Sequence, residues 1–194
     1  MIKRLFSRTF LGLLLAVTAA CSSSQVSLEY QPPNIPQELR RGPAVVSVGQ
    51  FEDRRGDPEN YLGAIKSPLG SPIEYVETRV PVAQMMANAF GHGLNTRNML
   101  ARGGSGRFLL QGQITSLYCD HLARPYAEAR VIVQLVDRRS NRVVHTQVYE
   151  AERLLPARSP SRDSRVLLAR LSSETVQMVV DKALDDPALR AALR

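Results

Sequence analysis

Reactive side chains in this sequence are few and scattered. His92, His121 and His145 are its only histidines. They fall in three separate predicted elements without H-x-x-x-H, H-E-x-x-H or Cys/His spacing, so surface or packed histidines are expected rather than a metal site. Cys119 precedes Asp120 and His121, which raises the idea of a thiol nucleophile. No nucleophile signature surrounds it, and its place in or just after a strand reads as a packed, inert thiol. Gly103-Gly104-Ser105-Gly106 lacks the Lys-Ser/Thr of a phosphate-binding loop and opens a strand rather than a helix, so it is a turn. Neither Ser-x-x-Lys nor Gly-x-Ser-x-Gly occurs, and there is no tryptophan for sugar stacking. The expectation is a non-enzymatic chain without cofactor or metal. Two clusters remain as candidate ligand or partner surfaces. Asp53 and Arg54, with Arg55 and Asp57, form either an ion-paired turn or a polar contact with a partner. Met85, Met86 and Phe90 share a helical face that either packs on a sheet or lines a lipid groove.

A different chemistry is written at the N-terminus. Lys3, Arg4 and Arg8 precede the apolar run Phe10 to Val17, and Thr18-Ala19-Ala20 lead to Cys21. This order of charge, apolar run and small residues is that of a secretory signal. The run is well short of the ~20 residues that span a hydrocarbon core. The last four positions resemble the lipobox of bacterial lipoproteins, with Thr18 where that pattern usually has Leu. The resemblance implies cleavage before Cys21, a thioether-linked diacylglycerol on it, and an acyl chain such as palmitate on its new amino group. Each buried CH₂ is worth roughly 0.8 kcal/mol, so several chains anchor essentially permanently. Ser22 in place of an aspartate implies the periplasmic face of the outer membrane, with the inner membrane the other possibility. The anchor makes the membrane one partner, and an envelope protein or a lipid is the expected other.

The net charge is +7, and removing the three leader cations leaves 22 basic against 18 acidic residues, spread along the chain. That mild, unclustered charge excludes a nucleic-acid role. With Cys21 acylated, Cys119 has no disulfide partner, so the fold must stand on its core.

The elements that would position these residues follow a simple order. Residues 1–20 are the signal peptide. Residues 21–42, rich in Ser, Pro and Gln, read as a lipidated tether stiffened by Pro32, Pro33 and Pro36. Residues 43–194 form a single α+β periplasmic domain. Its first strand is 44–51, followed by a charged loop and two short runs, 61–65 and 73–77, that suggest a hairpin or a flap. Val82, Met85, Met86, Ala89, Phe90 and Leu94 recur at helical spacing and predict a helix over 80–97. Three strands follow at 108–118, 126–137 and 143–152. The middle one alternates Ala127, Ala129, Val131, Val133 and Leu135 with residues facing the other way. A closing helix carries Val166, Leu167, Leu171, Val176 and Val179, and Asp186-Pro187 starts a terminal turn. The predicted fold is a mostly antiparallel sheet with two main helices packed on one face.

Several landmarks resemble the YajG-like family of bacterial lipoproteins: the lipobox, the Pro-rich tether and the Asp53-Arg54 turn after the first strand. So do the segment Ile114-Thr-Ser-Leu117-Tyr118-Cys119-Asp120 and the Asp186-Pro187-Ala188-Leu189 end. The resemblance implies an envelope lipoprotein with no catalytic residues to carry over, and it brings Tyr118 among the candidate surface residues. A weaker resemblance is to auxiliary lipoproteins of ABC-type transport systems, which implies an accessory role in lipid transport.

Overall fold

The structure is a computed structural model, and it describes residues 22–28, 30–31, 43–156 and 163–194. The leader, Cys21, Pro32, Pro33 and Pro36 lie outside the described residues. Seven strands are seen: β1 (Ser22–Val26), β2 (Val46–Asp53), β3 (Tyr61–Lys66), β4 (Pro72–Thr78), β5 (Phe108–His121), β6 (Pro125–Asp137) and β7 (Arg142–Leu154). Helix α1 (Val82–Thr96) sits between β4 and β5, and α2 (Ser164–Leu184) and α3 (Pro187–Ala192) close the chain. The strands form one sheet in the order β1-β4-β3-β5-β6-β7, with β2 also on β5. The long β5–β6–β7 meander and the β3–β4 hairpin are antiparallel, whereas β1–β4, β2–β5 and β3–β5 are parallel. The α+β class and the mostly antiparallel sheet are as the sequence predicts.

The expected alternation along β6 is present, with Ala127, Ala129, Val131, Val133 and Leu135 all buried. On β5 the alternation changes phase. Phe108, Leu110 and Ile114 are buried at even positions and Leu117 and Cys119 at odd ones. A bulge between Ile114 and Ser116 inserts the extra residue that shifts the pattern. Without it, half of β5 would turn its apolar side chains away from the helices.

Helix α1 packs on β2 and α2 spans β5, β6 and β7. Phe90 of α1 stacks on Phe51 of β2 with ring centroids 4.9 Å apart. The helices cross at Gly93, where an added Cβ would lie 2.7 Å from Leu184 and Val180 side-chain carbons. The Asp163 side chain accepts from the Arg165 amide to cap α2. Asp186 does the same for α3 through Ala188 N–H, with Pro187 following it.

One part of the expected tether is built into the sheet. Ser22–Val26 forms β1, parallel to β4 in the register Ser22 opposite Glu74 to Val26 opposite Thr78. Its composition is too polar to fold alone, but an unpaired edge of β4 offers backbone partners regardless of side chain. Tyr61–Lys66 and Pro72–Thr78 form the expected hairpin, joined by a turn in which Gly70 N–H donates to Ser67 C=O.

Gly63 makes the closest backbone approach in the sheet. Its φ is +156° and a Cβ there would lie 1.7 Å from the Cys119 carbonyl oxygen. Gly63→Ala is expected to destabilise the domain by about 3–4 kcal/mol, because a buried ladder rather than a flexible side chain must give way. Gly70→Ala, at φ +85° with nothing within 4 Å, should cost only about 1 kcal/mol. Urea unfolding midpoints of the two variants check the contrast.

Candidate binding site

Asp53 sits at the end of β2, where one edge of β5 changes partners. Strand β2 pairs with β5 up to Ile114, and β3 takes over from Cys119. Between them the edge of β5 is open, and the Arg55 side chain fills it. Its Nη1 donates to the carbonyls of Tyr61 at 2.6 Å and Leu117 at 3.0 Å. Its Nε and Nη2 hold the Asp53 carboxylate at 2.9 and 2.7 Å. The Arg55 side chain is only 2% exposed. Burial opposes the Asp53 charge, but the side-chain and backbone hydrogen bonds from Arg55 outweigh it and hold the carboxyl below its ordinary value. Arg54 points elsewhere and pairs with Glu52 on the surface. Thus Asp53 belongs to an ion-paired turn, and its partner is Arg55 rather than Arg54.

The predicted apolar face is also divided. Met86 and Phe90 are wholly buried in the core and present no surface, and Met85 is nearly so. Met85 alone reaches a cleft of about 410 Å³ between the segment after β1, α1 and α2. Leu28, Ala89 and Val176 give it apolar walls, and His92 and Ser173 add polar groups. Near this cleft lies a cluster that the sequence did not single out. Arg97, fully buried, donates to Asp185 through Nε and Nη2, each at 2.7 Å, to Asp181 at 3.0 Å and to Tyr30 Oη at 3.1 Å. Tyr30 Oη donates in turn to Asp181 at 2.8 Å. Burial works against the guanidinium charge, yet the bonds to Asp185, Tyr30 and Asp181 push its pKa up, and burial pushes the Tyr30 phenol to about 12. Nothing in the local sequence marks Arg97, because its partners are 84 and 88 residues away.

Tyr118 lies on the sheet face opposite the helices. Lys66 Nζ contacts its hydroxyl at 2.9 Å and the Asp120 carboxylate at 2.5 Å. Those two hydrogen bonds, the Asp120 one foremost, push the Lys66 ammonium up. Cys119 points the other way into the core. Burial pushes its thiol up to about 12, so the thiolate needed for attack is scarce at neutral pH. Cys119 and Asp120 project to opposite faces of one strand and do not meet. His145 Nε2 lies 3.0 Å from Tyr149 Oη, which donates to Asp186 at 2.5 Å. The three histidines lie on α1, β5 and β7, and no group of His, Cys, Asp or Glu among the described residues could hold a metal ion. The candidate residues therefore occupy three places and form no single site.

Comparison with solved structures identifies relatives of the fold. A Xanthomonas campestris protein of the DUF330 family superposes with a TM-score of 0.57 over 84% of this chain and 95% of its own, at 13% identity. The two chains share a fold. A hypothetical protein of Chlamydia trachomatis has a TM-score of 0.50 over 79% of this chain and 100% of its own, at 11% identity. The lipoprotein GNA1162 of Neisseria meningitidis matches more loosely, with a TM-score of 0.25 and 13% identity over 70% of this chain and 99% of its own. No family model matches the chain, and no curated protein does.

The Asp53–Arg55 pair makes stability depend on acid. An aspartate unfolded titrates near its ordinary 3.8 and this one lower, so its contribution is present above that value and is lost as pH falls through the folded pKa. Asp53→Asn should lose about 2–3 kcal/mol at neutral pH, leaving Arg55 buried without its counter-charge. The gap to the unmodified chain should narrow below pH 3.8. Urea unfolding at neutral pH and at about pH 3 measures both.

Proposed function

We propose that this chain is a lipid-anchored envelope lipoprotein of YajG-like kind, acting as a non-catalytic binding or scaffolding module on the periplasmic face of the outer membrane. The observation that carries the reading is the way the segment after Cys21 enters the fold. Strand β1 begins at Ser22 and pairs with β4, and Tyr30 is tied to Arg97 and Asp181. A lipid on Cys21 would then hold the whole domain, rather than swing it on a long tether. The inert, core-facing Cys119 and its separation from Asp120 support a non-catalytic role. The YajG-like landmarks fall at structural joints: the turn after Asp53, the β5 bulge segment and the Asp186 cap of α3. Among the described residues no helix is long and apolar enough to cross a membrane, and the anchor would supply the attachment.

A second reading, an accessory subunit of an ABC-type lipid-transport system, is favoured by the cleft between α1 and α2. Its Leu28, Met85, Ala89 and Val176 side chains offer an acyl chain some apolar contact, beside the polar Ser27, Asn88, His92 and Ser173. Phospholipid co-purifying at near one per chain in native mass spectrometry would favour that reading over the scaffold.

The anchor itself is tested by Cys21→Ala in the full chain. Labelled palmitate should be incorporated by the unmodified chain and not by the variant, and the variant should keep its leader by intact mass. Equal labelling of the two would sink the lipoprotein reading.

A further inference from the structure

The strand directions bring distant exposed apolar side chains to one end of the sheet. Strand β3 runs parallel to β5, with Ile65 opposite His121, so the β3–β4 turn and the β5–β6 turn lie side by side. Strand β7 ends at the same level, with Leu154 opposite Tyr126. Helix α2 starts there too, since Arg165 of its first turn lies 3.8 Å from Glu74. This end exposes Leu69, Ile73, Leu122, Leu154 and Val166, each at about half or more, and Leu69 at 94%. They come from four separate stretches of the chain, so no single helix or strand pattern explains their exposure.

The chain also enters the fold at this end. Strand β1 is parallel to β4 and begins with Ser22 opposite Glu74, the residue next to Ile73. The peptide bond to Ser22 keeps the Cys21 Cα within about 3.8 Å of the Ser22 Cα. An acyl chain on Cys21 would therefore enter a bilayer beside Ile73 and the Leu69 turn. The opposite end, at the β6–β7 turn, exposes only Val143 and Val144 of its large apolar side chains, beside the exposed polar Arg138, Arg139 and Ser140.

We propose that the end formed by the β3–β4 turn, the β5–β6 turn and the starts of β1 and α2 is a membrane-contact surface, seated in the headgroup–acyl boundary of the bilayer that holds Cys21. The proposal rests on the lipid-anchor reading and adds the orientation of the domain. Apolar side chains on separate turns insert shallowly into such a boundary without crossing it. Arg124, exposed on the β5–β6 turn, has its Nε on the Leu155 carbonyl, and its aliphatic stem can lie along the apolar surface while the guanidinium meets lipid phosphate. The β6–β7 turn would then face away from the membrane.

The test places an environment-sensitive fluorophore on Leu69→Cys, Leu122→Cys or Ser140→Cys in the full chain. The chain without an added cysteine serves as the blank. Each is mixed with vesicles of phosphatidylethanolamine and phosphatidylglycerol, some carrying a nitroxide-labelled lipid, and intact mass reports acylation separately. The expected result is a shift to shorter wavelength and several-fold stronger nitroxide quenching at 69 and 122, with neither at 140. If acylated chain is on the vesicles but 69 and 122 respond no more than 140, the orientation is overturned and the anchor stands. If 69 responds and 122 does not, the proposed surface is also overturned, since the turn alone would be in contact. If 69 and 122 respond in a chain whose mass shows no lipid, the surface stands and the anchor reading falls.

Discussion

A strand can pair along an edge with only one neighbour at a time, and in this fold the edge of β5 must serve two. Strand β2 leaves after Ile114 and β3 arrives at Cys119, so the backbone groups between them need another partner. The Arg55 guanidinium supplies it by donating to Leu117 and Tyr61 carbonyls while its charge is met by Asp53. The bulge in β5 falls in the same interval. One planar side chain with several fixed donors can bridge carbonyls and a carboxylate together, which a lysine could not do. The position of the β3–β4 hairpin, and with it β1, hangs on that junction.

A second buried arginine does a similar task on the helix side. Arg97 closes the end of α1, and its bonds to Asp181 and Asp185 fix where the last turns of α2 lie. Tyr30 joins the same cluster and so ties the N-terminal segment to both helices. The desolvation cost of burying a guanidinium is large, and only a full set of partners offsets it. The two arginines thus link one fold in two layers. Arg55 sets how the strands hand over, and Arg97 sets how the helices and the entering chain sit against each other.

Much of the architecture was legible in the sequence because it rests on short-range periodicity. The alternation in Tyr126–Asp137 and the helical spacing of Val82 to Leu94 each reflect a single element burying one face. The Asp186-Pro187 pair was legible as the break after α2, but the terminal turn expected there is the short helix α3. The candidate surface was less legible. Asp53 and Arg54 are adjacent in sequence, but the residue whose side chain turns inward is Arg55. Met85, Met86 and Phe90 share a helical face, and periodicity alone cannot tell a face that covers a sheet from one that lines a groove. The structure splits them, with Met86 and Phe90 inside and Met85 at the rim of the cleft.

The sequence by itself determined the α+β class, the order of strands from β2 to β7 and the places of α1 and α2. Each is encoded in composition or in periods of two and 3.6 residues, which act over a few neighbouring positions. Only the tertiary structure decided that Ser22–Val26 completes the sheet, that two arginines are buried, and that five exposed apolar side chains share one end. Those outcomes depend on open backbone edges and desolvated charges finding partners dozens of residues away, and no local pattern carries that information.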